Sequence, residues 1–229
     1  MKKLIKRLKM ISFSVMIALI VSCFTNKAIA KEIDYTKEEM IKKYENIVFL
    51  GDSITEYYPI NEIYSDLPVI KSGIAGYKTN DILSRLDELV YKYNPTSVYL
   101  LIGTNDLIMD KEEDKVSTVN NIKEIIENIK KHRKKTDIYI ESIYPINKNL
   151  DKEKYMVGQR ENTTIMNVNN KIKKYCKENN YHYIDMYNQL LDKDGNFSKE
   201  YTDDGLHPND LGYAKITRVL LPYIYGIKK

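Results

Sequence analysis

The chain has 229 residues, enough for one domain of ordinary size with a real core. Its 36 Lys and Arg outnumber its 32 Asp and Glu, but six of the basic residues and none of the acidic ones fall in the first thirty positions, so residues 31–229 carry 30 against 32, a net of −2. That balance lacks the basic footprint of a nucleic-acid-binding surface, and two cysteines, one of them inside the first thirty residues, exclude an intramolecular disulfide framework in the remainder.

Residues 1–30 have the layout of a secretory signal. Lys2, Lys3, Lys6, Arg7 and Lys9 form a basic n-region, positions 10–24 are uncharged and mostly apolar, and Ala28-Ile29-Ala30 offers a small-residue cleavage site. The apolar run is short for a retained membrane span. A second processing route competes. Ile20-Val21-Ser22-Cys23 resembles a bacterial lipobox, in which Cys23 becomes a lipidated N-terminus and tethers the chain to the membrane surface. Cleavage after Ala30 is the favoured expectation, because positions 25–30 have the length and polarity of a c-region. Either route places residues 31–229, a single domain, outside the cytoplasm: secreted in one case, tethered to the cell surface in the other.

Residues 31–45 read as a short amphipathic lead-in. Strands are then expected at 47–50, 68–72, 97–102, 137–142 and 182–185. Several are unbroken apolar runs, the pattern of strands covered on both faces, which points to a parallel sheet between helices. Helical stripes alternate with them: Ile82, Leu83, Leu86, Leu89 and Val90, with Thr79 or Asn80 as N-cap; Val119, Ile122, Ile125, Ile126 and Ile129; Ile165, Val168, Ile172 and Cys176; and Leu211, Ile216, Val219, Leu220 and Tyr223. The basic run Lys130–Lys135 suits a helix C-terminus. Residues 144–158 form a long polar connection of the kind that serves as a lid or binding segment. Alternating strands and helices imply right-handed crossovers and a doubly wound α/β domain.

In such a sheet, ligands gather outside the carboxyl ends of the strands, and the chemistry-bearing residues fall there. Ser53 follows the first strand within Gly51-Asp52-Ser53-Ile54-Thr55. Gly73 follows the second, Asn105 the third within Gly103-Thr104-Asn105-Asp106. Asp204 and His207 lie in Asp204-Gly205-Leu206-His207-Pro208-Asn209, before the last helix. A serine hydroxyl is a weak nucleophile without a base. His207 is the best placed of three histidines, since His132 sits in the basic run and His182 at the start of a strand. An aspartate three residues earlier can fix its tautomer, although Asp203 is adjacent and spacing alone does not choose between them. Pro208 is expected to open the last helix. The backbone N–H groups of Ser53 and Gly73 and the Asn105 side-chain amide can serve a developing oxyanion. The histidines form no ligand pairs, so no metal site is expected.

These blocks resemble the SGNH branch of the GDSL-type hydrolases, in order from Gly51 to Asn209. The resemblance implies Ser53 as nucleophile, His207 as base, Asp204 rather than Asp203 as its orienting acid, and Ser53, Gly73 and Asn105 as the oxyanion hole. It also implies a five-stranded parallel sheet flanked by helices, flavodoxin-like in winding, and no metal or organic cofactor. The second block departs from the family's Asn-x-Gly-x-x-Gly, with Lys71-Ser72-Gly73-Ile74-Ala75-Gly76 in its place. No Gly-x-Ser-x-Gly elbow surrounds Ser53, which disfavours the α/β-hydrolase fold. The expected activity is hydrolysis of acyl esters, first among them O-acetyl esters of glycans, with a lysophospholipase or short-chain lipase as the enzyme alternative. A catalytically idle module binding glycan or protein is the alternative of another class. No nucleic-acid partner is expected, and the membrane enters only through lipidated Cys23.

Overall fold

A computed structural model describes residues 46–152 and 155–226. The signal, lipobox and lead-in expectations fall outside these residues. Five strands, β1 (Ile47–Gly51), β2 (Val69–Gly73), β3 (Ser97–Leu101), β4 (Asp137–Glu141) and β5 (His182–Ile184), form one all-parallel sheet in the order β2-β1-β3-β4-β5. Each lies within a residue of the position expected from its apolar run. The first strand, β1, lies one in from the edge; the chain adds β2 outside it, then crosses back to add β3, β4 and β5 in turn, so β1 is flanked on both sides.

The strand side chains alternate between two separate cores. Val48, Leu50, Val98, Leu100, Ile138 and Ile140 point into an aliphatic core. It is closed by α3 (Thr79–Leu83), α4 (Leu86–Leu89), α5 (Glu112–His132) and α6 (Asn162–Glu178). The predicted stripes on α5 and α6 are buried throughout, including Cys176, whose thiol burial pushes up to about 12. The α3–α4 stripe is interrupted. Arg85 leaves helical geometry at φ −133° and ψ 23°, and Thr79 is the first helical residue rather than the cap. Its hydroxyl is committed elsewhere, donating to Asp106 at 2.5 Å.

The opposite face is aromatic. Phe49, Tyr99, Tyr139 and His182 occupy matched register positions on β1, β3, β4 and β5, and their rings stack at centroid separations of 5.1, 4.6 and 4.6 Å. Those steps match the spacing of neighbouring strands. The helices α1 (Ser53–Tyr57), α2 (Ile60–Ile63), α7 (Tyr187–Leu190) and α8 (Asp210–Ile224) cover this face. Leu211, counted in the last helical stripe, is 57% exposed, so the buried stripe of α8 begins at Gly212 and Tyr213. Lys130 Nζ donates to the carbonyls of Lys134 and Thr136, so the basic run closes the C-terminus of α5.

Glu141 ends β4 on the aromatic face, 7% exposed, where it accepts the Tyr144 hydroxyl at 2.7 Å. Burial pushes its carboxyl up to about 7, against the opposing pull of that hydrogen bond. The folded chain therefore keeps a proton that the unfolded chain releases at a pH of about 4.3. This contribution favours folding at low pH and is lost as pH rises from about 4.5 to about 7. In Glu141→Gln, which cannot ionise, the decline in stability between about pH 5 and pH 7.5 should shrink by roughly 1–3 kcal/mol. Urea unfolding of both proteins across that range checks this, and identical slopes would contradict it.

Candidate active site

The turn after β1 is built by three consecutive residues. Gly51 closes the strand, in register with Gly73 of β2 on one side and Leu101 of β3 on the other. Asp52 caps α1, its Oδ1 accepting the Ile54 N–H at 3.0 Å. Ser53 is the first helical residue, so its N–H belongs to the first-turn group that has no acceptor within the helix. Its hydroxyl lies 3.0 Å from His207 Nε2, across 154 residues of sequence. His207 Nδ1 lies 2.7 Å from Asp204 Oδ2. With Nδ1–H donating to that carboxylate, Nε2 is left unprotonated toward the hydroxyl.

The Asp204–His207 segment is shaped locally. Asp204 Oδ1 accepts the N–H groups of Leu206 and His207 at 2.8 and 2.7 Å, leaving Oδ2 for the ring. Gly205 makes this fold-back feasible. Its φ is +82°, and a side chain there would run into the carbonyl of Asn147, whose N–H donates to Gly205 O at 2.8 Å. Burial acts to raise the Asp204 pKa, but the His207 ring and the two backbone N–H groups outweigh it and hold the carboxyl at about 2. The imidazole meets Asp204 and not Asp203, which accepts from Asn209 Nδ2 at the surface. Pro208 differs from expectation. It pairs with Thr202 in an isolated bridge ahead of the helix, and Asn209 caps α8 through Gly212 N–H at 3.0 Å. A residue that cannot donate suits that extended position as well as a first helical turn.

Gly73 is where α1 presses on the sheet. A Cβ there would collide with the backbone of Thr55 and Glu56. Lys71, the departure in the second block, is put to use: Nζ donates to Glu56 O at 2.9 Å, while the Glu56 carboxylate accepts Ala75 N–H at 2.6 Å. Together they tie α1 to the loop after β2. Asn105 follows β3, its Nδ2 donating to Tyr77 O at 3.0 Å. The next residue, Asp106, accepts from Thr79 N–H at 3.1 Å. The loops after β1, β2 and β3 are therefore bound to one another at one edge of the sheet.

Three nearby residues carried no signal in the sequence. Asp52 is 1% exposed, its Oδ2 is buried without a hydrogen-bond partner, and burial pushes its carboxyl up to about 7 despite the Ile54 N–H, His207 and Arg160. Arg160 is also 1% exposed and donates to Asn105 Oδ1 at 3.1 Å. Tyr57, 54% exposed, sets its ring 5.5 Å from that of His207. Asp52 stands inside the Gly51-Asp52-Ser53 block without a role of its own there, and Arg160 and Tyr57 stand in segments with no motif at all. Among the described residues no three His, Cys, Asp or Glu side chains are grouped to hold a metal, and no helix is long and apolar enough to cross a membrane.

A doubly wound α/β domain with a serine, an imidazole and a carboxylate linked in series at the carboxyl edge of its sheet is the architecture of the SGNH hydrolases. Residues 49–215 match the GDSL-like lipase/acylhydrolase family, and the chain belongs to that family of ester hydrolases. A solved Streptococcus pneumoniae structure, named for platelet activating factor, is 31% identical and superposes with a TM-score of 0.73 over 91% of this chain and 99% of its own. An acetyl-xylooligosaccharide esterase of Geobacillus shares the fold at 20% identity, TM-score 0.60, over 79% of this chain and 94% of that one. A 184-residue stretch is 29% identical to the N-acylneuraminate cytidylyltransferase of Escherichia coli O18:K1:H7, covering 78% of this chain. That stretch spans only 40% of the cytidylyltransferase.

The contact at Gly73 is backbone against backbone, which cannot yield by a rotamer change. Gly73→Ala should therefore push α1 off the sheet, cost about 1–3 kcal/mol of stability, and lower turnover by about 10²-fold through displacement of Ser53. Urea denaturation and steady-state kinetics on an acetyl ester measure the two effects. Wild-type values for both would show that the turn tolerates a side chain.

Proposed function

We propose that the protein is an extracytoplasmic serine esterase that removes O-acetyl groups from glycans. The observation that carries this reading is the unbroken series Ser53 Oγ, His207 Nε2, His207 Nδ1 and Asp204 Oδ2, with contacts of 3.0 and 2.7 Å. Ser53 Oγ bonds to the acyl carbon as its proton passes to His207 Nε2. The carbonyl oxygen becomes an oxyanion, held by the N–H groups of Ser53 and Gly73 and by Asn105 Nδ2. Collapse breaks the ester C–O bond, and the departing alcohol takes the proton from His207. Water then adds to the acyl-serine, its proton returning to Nε2, and the acid leaves as Oγ is reprotonated. Asp204, held at about 2, stays ionised throughout and stabilises the imidazolium.

Three features support an acylated sugar outside the cell. The signal-like residues 1–30 direct the chain to export, by cleavage after Ala30 or by lipidation of Cys23. The half-exposed ring of Tyr57 beside His207 offers a face on which a pyranose can stack. The same fold carries an acetyl-xylooligosaccharide esterase, and a curated relative is named for an N-acylated sugar acid.

Ser53→Ala should lower hydrolysis of an acetyl ester by roughly 10⁴-fold or more, keep its thermal unfolding transition, and lose labelling by a fluorophosphonate. Retained turnover would remove Ser53 from the mechanism, and an unlabelled, inactive wild type would favour the idle binding module. Across a series of esters of rising chain length, kcat/KM should be highest for acetyl and fall steadily. A maximum at long acyl chains would favour the lysophospholipase or lipase alternative.

A further inference from the structure

Arg160 sits in the connection between β4 and α6, two residues past the 144–158 stretch expected to serve as a lid or binding segment. The described part of that connection is fastened down. Ile143, Tyr144, Ile146 and Val157 are buried in it. Asp151 accepts the N–H groups of Met156 and Val157, Gln159 N–H donates to Ile108 O, and Asn147 Nδ2 donates to Phe197 O. The guanidinium uses four of its five N–H groups on named acceptors. Nε donates to Thr104 O at 2.7 Å, Nη1 to the carbonyls of Met156 and Val157 at 3.1 and 2.7 Å, and Nη2 to Asn105 Oδ1 at 3.1 Å.

These contacts fix the Asn105 carboxamide without ambiguity. A guanidinium donates only and must face the amide oxygen. The Tyr77 carbonyl accepts only and must face the amide nitrogen. With the oxygen held by Arg160 and one N–H by Tyr77, a single N–H remains. A cation on the oxygen also polarises the amide, which strengthens the remaining N–H as a donor. Burying a guanidinium is costly unless its hydrogen bonds are nearly complete. An anchor for a surface loop alone does not call for a cation placed on the side-chain oxygen of Asn105.

We propose that Arg160 is a positioning residue for ester hydrolysis: it grips the Asn105 carboxamide by its oxygen and thereby presents the remaining amide N–H to the oxyanion. This rests on the assignment of Asn105 to the oxyanion hole made above. Lysine at 160 keeps the charge but cannot reach Thr104 O and Asn105 Oδ1 together.

The test is a double-mutant cycle on the mature enzyme with an acetyl ester, comparing wild type, Arg160→Lys, Asn105→Ala and the double variant. Arg160→Lys should lower kcat by at least about 10-fold with KM changed less than about 3-fold. In the Asn105→Ala background the same substitution should change kcat by less than about 3-fold. An equal loss in both backgrounds, or no loss in the first, overturns the proposal. If Arg160→Lys lacks a cooperative unfolding transition, a crystal structure of the phosphonylated wild type decides. Asn105 Nδ2 at about 3 Å from the phosphonyl oxygen, with the Arg160 contact kept, supports the proposal. An Asn105 side chain rotated off Arg160 overturns it. Failure of the wild type to react at Ser53 is a separate result and counts against the serine esterase reading itself.

Discussion

Everything at the active edge depends on how closely a five-residue helix can lie against the end of a parallel sheet. Gly51 and Gly73 face each other in register on β1 and β2, and α1 lies over both. A Cβ at Gly73 would meet the backbone of Thr55 and Glu56, and one at Gly51 would meet the Thr55 side chain and the Leu101 carbonyl. Two absent side chains bring Ser53 down to the level at which the loops after β2 and β3 can surround it. The flanks then hold it. Lys71 and Glu56 bind α1 to the loop after β2, and Tyr213 Oη donates to Ile54 O at 2.8 Å from α8 behind. The nucleophile candidate thus stands on a support fixed from three sides.

The two faces of the sheet do different work. The aliphatic face is ordinary apolar packing of branched side chains against long helices. The aromatic face carries hydroxyls into the interior, and each needs a partner there. Tyr58 bonds to Tyr64 and to Thr217 at 2.8 and 2.7 Å, and Tyr144 to Glu141. This face also takes the buried end of α1 and the inner side of α8, so the hydroxyl network reaches the backbone of the Ser53 helix through Tyr213. Tyrosine makes up 20 of the 229 residues, and seven of them, Tyr99 and Tyr139 of the ladder included, are buried on this face.

The sequence was most legible where a single physical rule acts alone. Several of the strands are the unbroken apolar runs that burial on both faces requires, and all five lie within a residue of their expected positions. The α5 and α6 stripes were legible for the same reason. The α3–α4 break was not, because apolar spacing continues across Arg85 while the backbone does not. Leu211 continued a pattern on paper that geometry places on the solvent side. At the site, Ser53, Gly73 and Asn105 were visible because short motifs mark strand ends, and Asp204 and His207 because their motif stands just before the last helix. The choice of Asp204 over Asp203 was not available from spacing and came from resemblance; in the structure the difference is that one carboxylate faces the ring and the other the surface. Arg160 was invisible, and the burial of Asp52 within its motif unread, because burial is a tertiary property: nothing in the neighbouring residues announces that either ends up 1% exposed.

The two halves of the site are held by different kinds of interaction. Asp204 and His207 belong to one hexapeptide, and the bonds that shape them span two or three residues. That half is largely organised by its own sequence, and the Asn147–Gly205 contacts, the burial of Leu206 in the aliphatic core and the Ser53–His207 contact lock it to the body of the protein. The other half has no local organisation. Asn105 owes its orientation to Tyr77, 28 residues before it, and to Arg160, 55 residues after it. Hydrogen bonds that close long loops form late and depend on the whole core being in place. The Asp204–His207 pair can therefore take its shape early, whereas the Asn105 side is assembled only when the strap that carries Arg160 has docked. A buried cation in that strap couples the two requirements, since Arg160 is satisfied only when the strap, Thr104 and Asn105 are all in position. Partial docking leaves a guanidinium buried without its acceptors, which is costly enough to keep the strap closed in the native state.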